Sequence, residues 1–303
     1  MKIDDICVLI LGGSRFRDSR IKAVRETWLA NFNNYFISCD APLDKDLNRA
    51  VGVTGDFIFT TDHSDCHSCP PKIFRGLEHV VANANDCPWL FIGDDDTFVN
   101  TVNLIAFTKM LEVTDDKMYG KDMTGNYPYN GGQIKYLSGG GGTLMPMHVA
   151  KKMIKRAKEE DWFEWLCLPR QIPPKHAKDY PTAAGADTKL GWLGNQLKIT
   201  QVSYPHLFYP ESYKKYKHDP SNILQCITYH RQYGNAQREL NEIVFKDISK
   251  NKLSLEPPAP KKVIERAAVQ NIEKGFGTSY YINTELLLLR KKIERLEKQL
   301  NNK

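Results

Sequence analysis

Several things this sequence lacks narrow its reading. No stretch approaches the roughly 20 consecutive apolar residues of a membrane-spanning helix, so no segment reads as a span. Charge of one sign is missing too: 42 Lys and Arg face 36 Asp and Glu, a net charge of +6 with no basic block. That balance suits a phosphate-bearing substrate or an acidic surface, and it carries no nucleic-acid footprint. Cysteine is sparse and odd in number, seven residues scattered from Cys7 to Cys226. No disulfide framework follows from that, and reduced thiols fit a cytosolic setting. The single C-x-x-C, Cys66-His67-Ser68-Cys69 with His63 nearby, has no second pair to complete a zinc site, so loop thiols are the simpler reading. The phosphate-cradling G-x-x-x-x-G-K-[ST] is absent, which argues against a P-loop phosphotransfer enzyme. Met1-Lys2-Ile3-Asp4-Asp5 has no signal-peptide pattern, and the expectation is a cytoplasmic protein. A Golgi or ER-lumen protein whose anchor lies outside this sequence would read the same way.

What is present is an ordinary globular composition over 303 residues, 41% hydrophobic and 26% charged, enough for one large domain or two moderate ones. Ile6-Cys7-Val8-Leu9-Ile10-Leu11 reads as a buried strand running into Gly12-Gly13. A helix is expected over about 19–30, strands over 35–39, 56–60 and 88–92, and a helix between Pro70 and Asn85. Further helices are expected over 102–111, 147–158 and 185–197, and a strand over 198–202. Residues 120–132 read as turn-rich, and 162–181, with their aromatics and prolines, as a loop. Strands alternating with amphipathic helices predict a mostly parallel, doubly wound α/β sheet.

The tail differs. Leu255 to Val263 is a proline-rich linker, and Leu286, Leu289, Ile293, Leu296 and Leu300 recur at spacings of three and four. That pattern is a short coiled-coil seam, which either packs back on the body or pairs with a second copy. The expected division is a main domain over 1–250, a proline-containing extension over 251–283 and a coiled-coil-like helix over 284–303.

The sharpest signal is Trp89-Leu90-Phe91-Ile92-Gly93-Asp94-Asp95-Asp96-Thr97-Phe98-Val99-Asn100. An apolar strand runs directly into three carboxylates, whose mutual repulsion a hard divalent cation would relieve. In α/β sheets the carboxyl end of a strand is also where ligands bind. A solvated acidic turn is the alternative. Downstream, Gly139-Gly140-Gly141-Gly142 allow close backbone approach and positive φ, or form only a flexible loop. Asp187 begins a helical pattern, as a helix N-cap would. Trp162, Phe163, Trp165, Tyr204, His206, Phe208 and Tyr209 could line an acceptor groove or belong to the core.

Four separated segments resemble the Fringe and core-1 β1,3-galactosyltransferase group of inverting, metal-dependent glycosyltransferases. They are Phe16-Arg17-Asp18-Ser19-Arg20 through Glu26-Thr27-Trp28, then Trp89 through Asn100, Leu137 through Gly142, and Ala186-Asp187-Thr188-Lys189-Leu190-Gly191-Trp192. Order and spacing agree over about residues 6–232. The resemblance implies a GT-A-type, Rossmann-like mixed and mostly parallel sheet flanked by helices, with a helical C-terminal tail outside it. It implies a UDP-sugar donor, a glycan or glycoprotein acceptor, and Mn²⁺ or Mg²⁺ as cofactor, with UDP-galactose, UDP-N-acetylglucosamine and UDP-glucose all allowed. On the matching positions it implies metal ligands Asp94, Asp96 and His230, the last closing Ile227-Thr228-Tyr229-His230, and Asp187 as general base. It implies a donor contact at Asp40, and Asp95, Gly140 and Gly141 are expected to face the donor as well. Gly12, Ser14 and Arg20 lie in the first strand-to-helix turn, where backbone amides and a guanidinium can meet nucleotide phosphates. Lys72 is a further candidate, with an exposed lysine at a helix start as the alternative. Family members often carry two acidic residues where this chain has Ala186-Asp187, which puts the assignment of the base in question. A non-catalytic carbohydrate- or Ca²⁺-binding protein on the same fold is the alternative function.

Overall fold

The computed structural model describes residues 2–40, 56–61, 69–84, 86–126, 133–168, 185–216 and 224–250. The linker and coiled-coil expectations, the Cys66 to Ser68 part of the C-x-x-C and most of 162–181 lie outside those residues.

Strand β1 (Ile6–Leu11) is buried along its whole length, so both faces must be covered. Its side chains part with the two-residue period of a strand. Cys7, Leu9 and Leu11 join one hydrophobic cluster, while Ile6, Val8 and Ile10 join another. β4 (Trp89–Asp94) divides the same way, Leu90 and Ile92 to the first cluster and Trp89 and Phe91 to the second. Helices α2 (Cys69–Asn83), α4 (Met147–Glu159) and α6 (Ala186–Gln196) supply the first cluster. Helices α1 (Lys22–Glu26), α3 (Thr101–Thr108) and α7 (Asn235–Lys250) supply the second through Val24, Leu104, Phe107 and Leu240.

Between these layers lies a seven-stranded sheet. With β2 (Tyr35–Asp40), β3 (Asp56–Thr61), β6 (Lys117–Gly120), β9 (Thr143–Pro146) and β10 (Thr200–Ser203), its order is β10-β6-β9-β4-β1-β2-β3. Only β9 runs against the rest, antiparallel to both β4 and β6. The mostly parallel, helix-flanked sheet expected from the sequence is therefore present. A second, three-stranded sheet joins β11 (Phe208–Tyr209), β12 (Thr228–Tyr229) and β5 (Phe98–Val99).

Two consequences position the site. Because β9 is antiparallel to β4, the glycines just before β9 arrive at the carboxyl end of β4, beside Asp94. Because β12 is antiparallel to β5, with Thr228 opposite Val99 and Tyr229 opposite Phe98, the chain leaves β12 at His230 next to the acidic turn.

Several elements differ from expectation. The helix expected over 19–30 is a π-type turn (Arg17–Ile21), then α1, then a break at Thr27 and a 3-10 turn (Trp28–Asn31). The Thr27 hydroxyl donates back to the carbonyls of Ala23 (2.6 Å) and Val24 (3.2 Å), competing with the helix ladder. The turn that follows brings the Trp28 indole N–H to the Thr97 carbonyl at 3.0 Å, beneath the acidic turn. Residues 120–132, read as turns, contain β7 (Asp122–Asn126), which pairs with β8 (Gln133–Leu137) as an antiparallel ribbon. The loop expected from Trp162 includes α5 (Phe163–Cys167). Among the described residues, no helix is long and apolar enough to cross a membrane.

Candidate metal and donor site

The acidic turn is fixed from all sides. Asp94 N–H donates to the Thr97 hydroxyl (3.1 Å), Thr97 N–H to the Asp94 carbonyl (3.0 Å), and the Thr97 hydroxyl to the Gly140 carbonyl (3.0 Å). Asp95 N–H donates to the Leu11 carbonyl, and Gln232 N–H to the Asp96 carbonyl. The three carboxylates are thus held together by backbone geometry that their repulsion cannot relax.

His230 completes the group. Its Nε2 lies 3.1 Å from Asp96 Oδ1 and 3.6 Å from Asp94 Oδ2. Its Nδ1 lies 3.0 Å from the Pro210 carbonyl, which can only accept, so Nδ1 carries a proton; loss of the Nε2 proton that faces Asp96 would present the Nε2 lone pair to a metal. One atom from each of Asp94, Asp96 and His230 falls within a 4.8 Å span, and they are the metal-competent group of three among the described residues. Two carboxylate oxygens and an imidazole suit Mn²⁺, which accepts oxygen and nitrogen donors, better than the more strictly oxygen-seeking Mg²⁺.

Electrostatics agree with a cation-seeking site. Burial, then the adjacent Asp96 charge, push the Asp94 carboxyl up to about 7. The same two causes push Asp95 up to about 6, opposed by Arg20 and the Gly13 amide. Burial by itself would lower His230, yet its hydrogen bond to Asp96 and the carboxylate charges raise it above the usual imidazole value.

The expected donor contacts are engaged with one another. Asp40, buried at the end of β2, accepts from Ser14 N–H (3.0 Å), from the Ser14 hydroxyl and from Lys72 Nζ (3.0 Å). Lys72 is itself buried, so the exposed helix-start lysine of the alternative reading does not describe it. Burial would raise the Asp40 carboxyl, and these hydrogen bonds hold it below its ordinary range. The amides of the first turn are likewise taken: Gly12 N–H by the Ser38 carbonyl, Gly13 N–H by Asp95 Oδ2 at 3.1 Å, and Ser14 N–H by Asp40. Arg20 Nη1 lies 3.4 Å from Asp95 Oδ1 and 3.3 Å from Asp96 Oδ2.

Two of the glycines serve the protein itself. A Cβ on Gly140 would sit 2.3 Å from His230 Cε1, and one on Gly142, at φ +81, would sit 2.6 Å from Phe91 Cζ. A Cβ on Gly141 would make only ordinary contacts, 3.6 Å at the nearest, and the Gly141 carbonyl accepts from the Thr228 hydroxyl.

Asp187 stands in the first turn of α6, two residues after the N-cap Gly185, so the N-cap alternative does not describe it. Its Oδ1 accepts from Thr188 N–H (2.9 Å) and its Oδ2 from Gly139 N–H (3.4 Å), the first of the four glycines. The Asp187 charge adds a small part to the upward push on the Asp94 carboxyl, after burial and the nearer charges. Ala186 is buried in the first hydrophobic cluster. The aromatics expected at an acceptor groove divide: Phe163, Trp165, Phe208 and Tyr209 are core residues, while His206 is exposed.

Sequence reading missed the Pro210 carbonyl, Thr97, Gln232 and Tyr233. Thr97 had a signal, since an Asp-x-x-Thr turn closes on its own backbone. The others act through contacts between distant segments.

A mostly parallel sheet flanked by helices, with an Asp-x-Asp turn and a histidine at its carboxyl edge, defines a GT-A-type α/β protein. The Fringe-like family model matches residues 1–232, and the chain belongs to that family of glycosyltransferases. Among solved structures, the chain is similar to a glycosyltransferase involved in the glycosylation of the major capsid of PBCV-1. That likeness has 13% identity and a TM-score of 0.40, over 79% of this chain and 99% of that one. It is also similar to a mannose-1-phosphate geranyltransferase from Thermus thermophilus, at 9% identity and a TM-score of 0.35, over 67% of this chain and 70% of that one. No curated protein matches the sequence.

Proposed function

We propose that the chain is an inverting transferase that moves a sugar from a UDP-sugar to a hydroxyl of a glycan or glycoprotein acceptor. The observation that carries this reading is the convergence of Asp94, Asp96 and His230 within 4.8 Å at the carboxyl edge of the sheet. These three residues would hold Mn²⁺, with His230 presented by the Pro210 carbonyl. A divalent cation bound there supplies the positive charge that lets the UDP diphosphate leave.

The remaining work falls to side chains of this protein. Arg20 adds a second positive charge beside Asp95 and Asp96, available to offset the charge of a donor diphosphate. Asp187 is the group assigned to take the proton of the acceptor hydroxyl as the hydroxyl oxygen attacks the anomeric carbon opposite UDP. Its carboxylate is oriented by the Gly139 and Thr188 amides, and proton transfer to a group so oriented is general-base catalysis. Ala186, packed among apolar side chains, offers no second base, so the whole of that role rests on Asp187.

The test is release of UDP from a panel of UDP-sugars in the presence of Mn²⁺. One donor is expected to turn over. Asp96→Ala abolishes the release, and Asp187→Asn lowers kcat on the order of 10²–10⁴-fold with the donor KM kept. Tight glycan binding without turnover of any donor would instead identify a non-catalytic binding protein.

A further inference from the structure

Arg20 is held by more than its two carboxylates. Its guanidinium carbon lies 3.9 Å from the centroid of the Phe16 ring and 4.4 Å from that of Tyr233. Phe16 comes from the turn just before Arg20, whereas Tyr233 comes from more than 200 positions later in the chain. Tyr233 is half exposed, and it and Met123 are the exposed large hydrophobic residues among those described. A tyrosine ring kept at the surface over a cation contributes through cation–π attraction. Its backbone is anchored by its neighbour: Gln232 N–H donates to the Asp96 carbonyl at 2.8 Å, and the Gln232 side-chain amide donates to the His230 carbonyl. The Tyr233 ring is therefore tied to the same short stretch that delivers His230. It also lies one residue beyond the family match over 1–232.

We propose that Tyr233 is a positioning residue that clamps the Arg20 guanidinium against Asp95 and Asp96, so that a donor diphosphate meets a preset counter-charge. The proposal rests on the metal and donor reading above. Asp96 divides its two oxygens, Oδ1 towards His230 and Oδ2 towards Arg20. A cation fixed on Oδ2 opposes a bare divalent ion arriving at Oδ1, because like charges repel. The same cation attracts the negative diphosphate. Removing the clamp should move these two affinities differently, which a merely structural role would not do.

The experiment measures, by calorimetry, Mn²⁺ binding without nucleotide and UDP binding with saturating Mn²⁺. It compares the full chain with Tyr233→Ala, Tyr233→Phe and Arg20→Lys. Tyr233→Ala is expected to weaken UDP about threefold to tenfold, the size of a lost cation–π contact, while Mn²⁺ alone binds at least as tightly as before. Tyr233→Phe, which keeps the ring, restores UDP binding. Arg20→Lys weakens UDP, because an ammonium cannot lie flat on two rings while touching two carboxylates. Equal weakening of Mn²⁺ and UDP by Tyr233→Ala overturns the proposal, since the ring would then only prop the metal turn. So does failure of Tyr233→Phe to restore binding. If the unmodified chain binds Mn²⁺ and UDP but Tyr233→Ala matches it, the clamp alone is wrong. If the unmodified chain binds no Mn²⁺, the metal reading and this proposal fall together.

Discussion

Gly140 lacks a side chain because an imidazole occupies the space. A Cβ there would lie 2.3 Å from His230 Cε1 and 2.4 Å from its Nδ1, nearer than real Cβ atoms approach. Gly140→Ala is therefore expected to push the ring off its place beside Asp96 and off the Pro210 carbonyl. Loss of an orienting contact to a metal-binding histidine costs on the order of 10–100-fold in metal affinity. A Mn²⁺ titration of the folded variant checks this, and affinity equal to the unmodified chain would show that the ring is not fixed. Part of this site was legible in the sequence. Three adjacent carboxylates after an apolar strand called for a cation, and the family resemblance pointed to His230. The role of Gly140 was not legible, because the group that excludes its side chain lies 90 positions later in the chain and is brought near by two strand pairings. Asp40 is similar. It stood out as an acid at a strand end, but its engagement by Ser14 and Lys72 depends on where α2 begins.

The elements show where sequence pattern carries and where it fails. β1, β2 and β4 were legible because a strand buried on both faces is a continuous apolar run. α4 was legible because its buried Val149, Ala150, Met153, Ile154 and Ala157 recur at helical spacing. Strands β5, β11 and β12, each of two residues, are too short to show any period, yet their pairing delivers His230. The break at Thr27 was hidden for a different reason: a single back-bonding hydroxyl overrides the helical periodicity around it. Lys189 is another element-scale device. It is buried in α6, two residues beyond Asp187, and its ammonium donates to the carbonyls of Trp165 (3.0 Å), Leu166 (3.3 Å) and Leu168 (2.9 Å) at the end of α5. One side chain thus adds a donor to the carbonyls of this helix end, where the Trp165 carbonyl also accepts from Leu168 N–H. Lys189→Met keeps the stem but leaves those acceptors without this donor. The expected cost is about 2–4 kcal/mol, read as a lower Tm in calorimetry. A Tm unchanged from the unmodified chain would mean that water replaces the ammonium.

For the whole molecule, the acidic turn is the joint between the two sheets, since Asp94 ends a strand of the large sheet and His230 follows a strand of the small one. Without metal, this joint carries groups that hold protons more tightly folded than unfolded. Asp94 is raised from 3.8 to about 7 and Asp95 from 3.8 to about 6, and His230 is raised as well. A raised folded value means that the stabilising contribution is complete below the unfolded value and is lost as pH rises through the folded one. For the two carboxyls, the loss runs from about pH 4 to about pH 7, and the histidine acts with the same sign above its ordinary value. The metal-free protein should therefore lose Tm steadily from pH 5 to pH 8 in the presence of a chelator. Metal ligands must be deprotonated to bind, so the Tm gained on adding Mn²⁺ should grow over the same interval. At a hundred times its dissociation constant, a ligand that binds only the folded state adds about 2.7 kcal/mol. Thermal melts across this pH range, with Mn²⁺ and with chelator, should give two curves that diverge as pH rises. Parallel curves would separate the metal from the three titrating groups, and with it the joint between the sheets from the chemistry assigned to it.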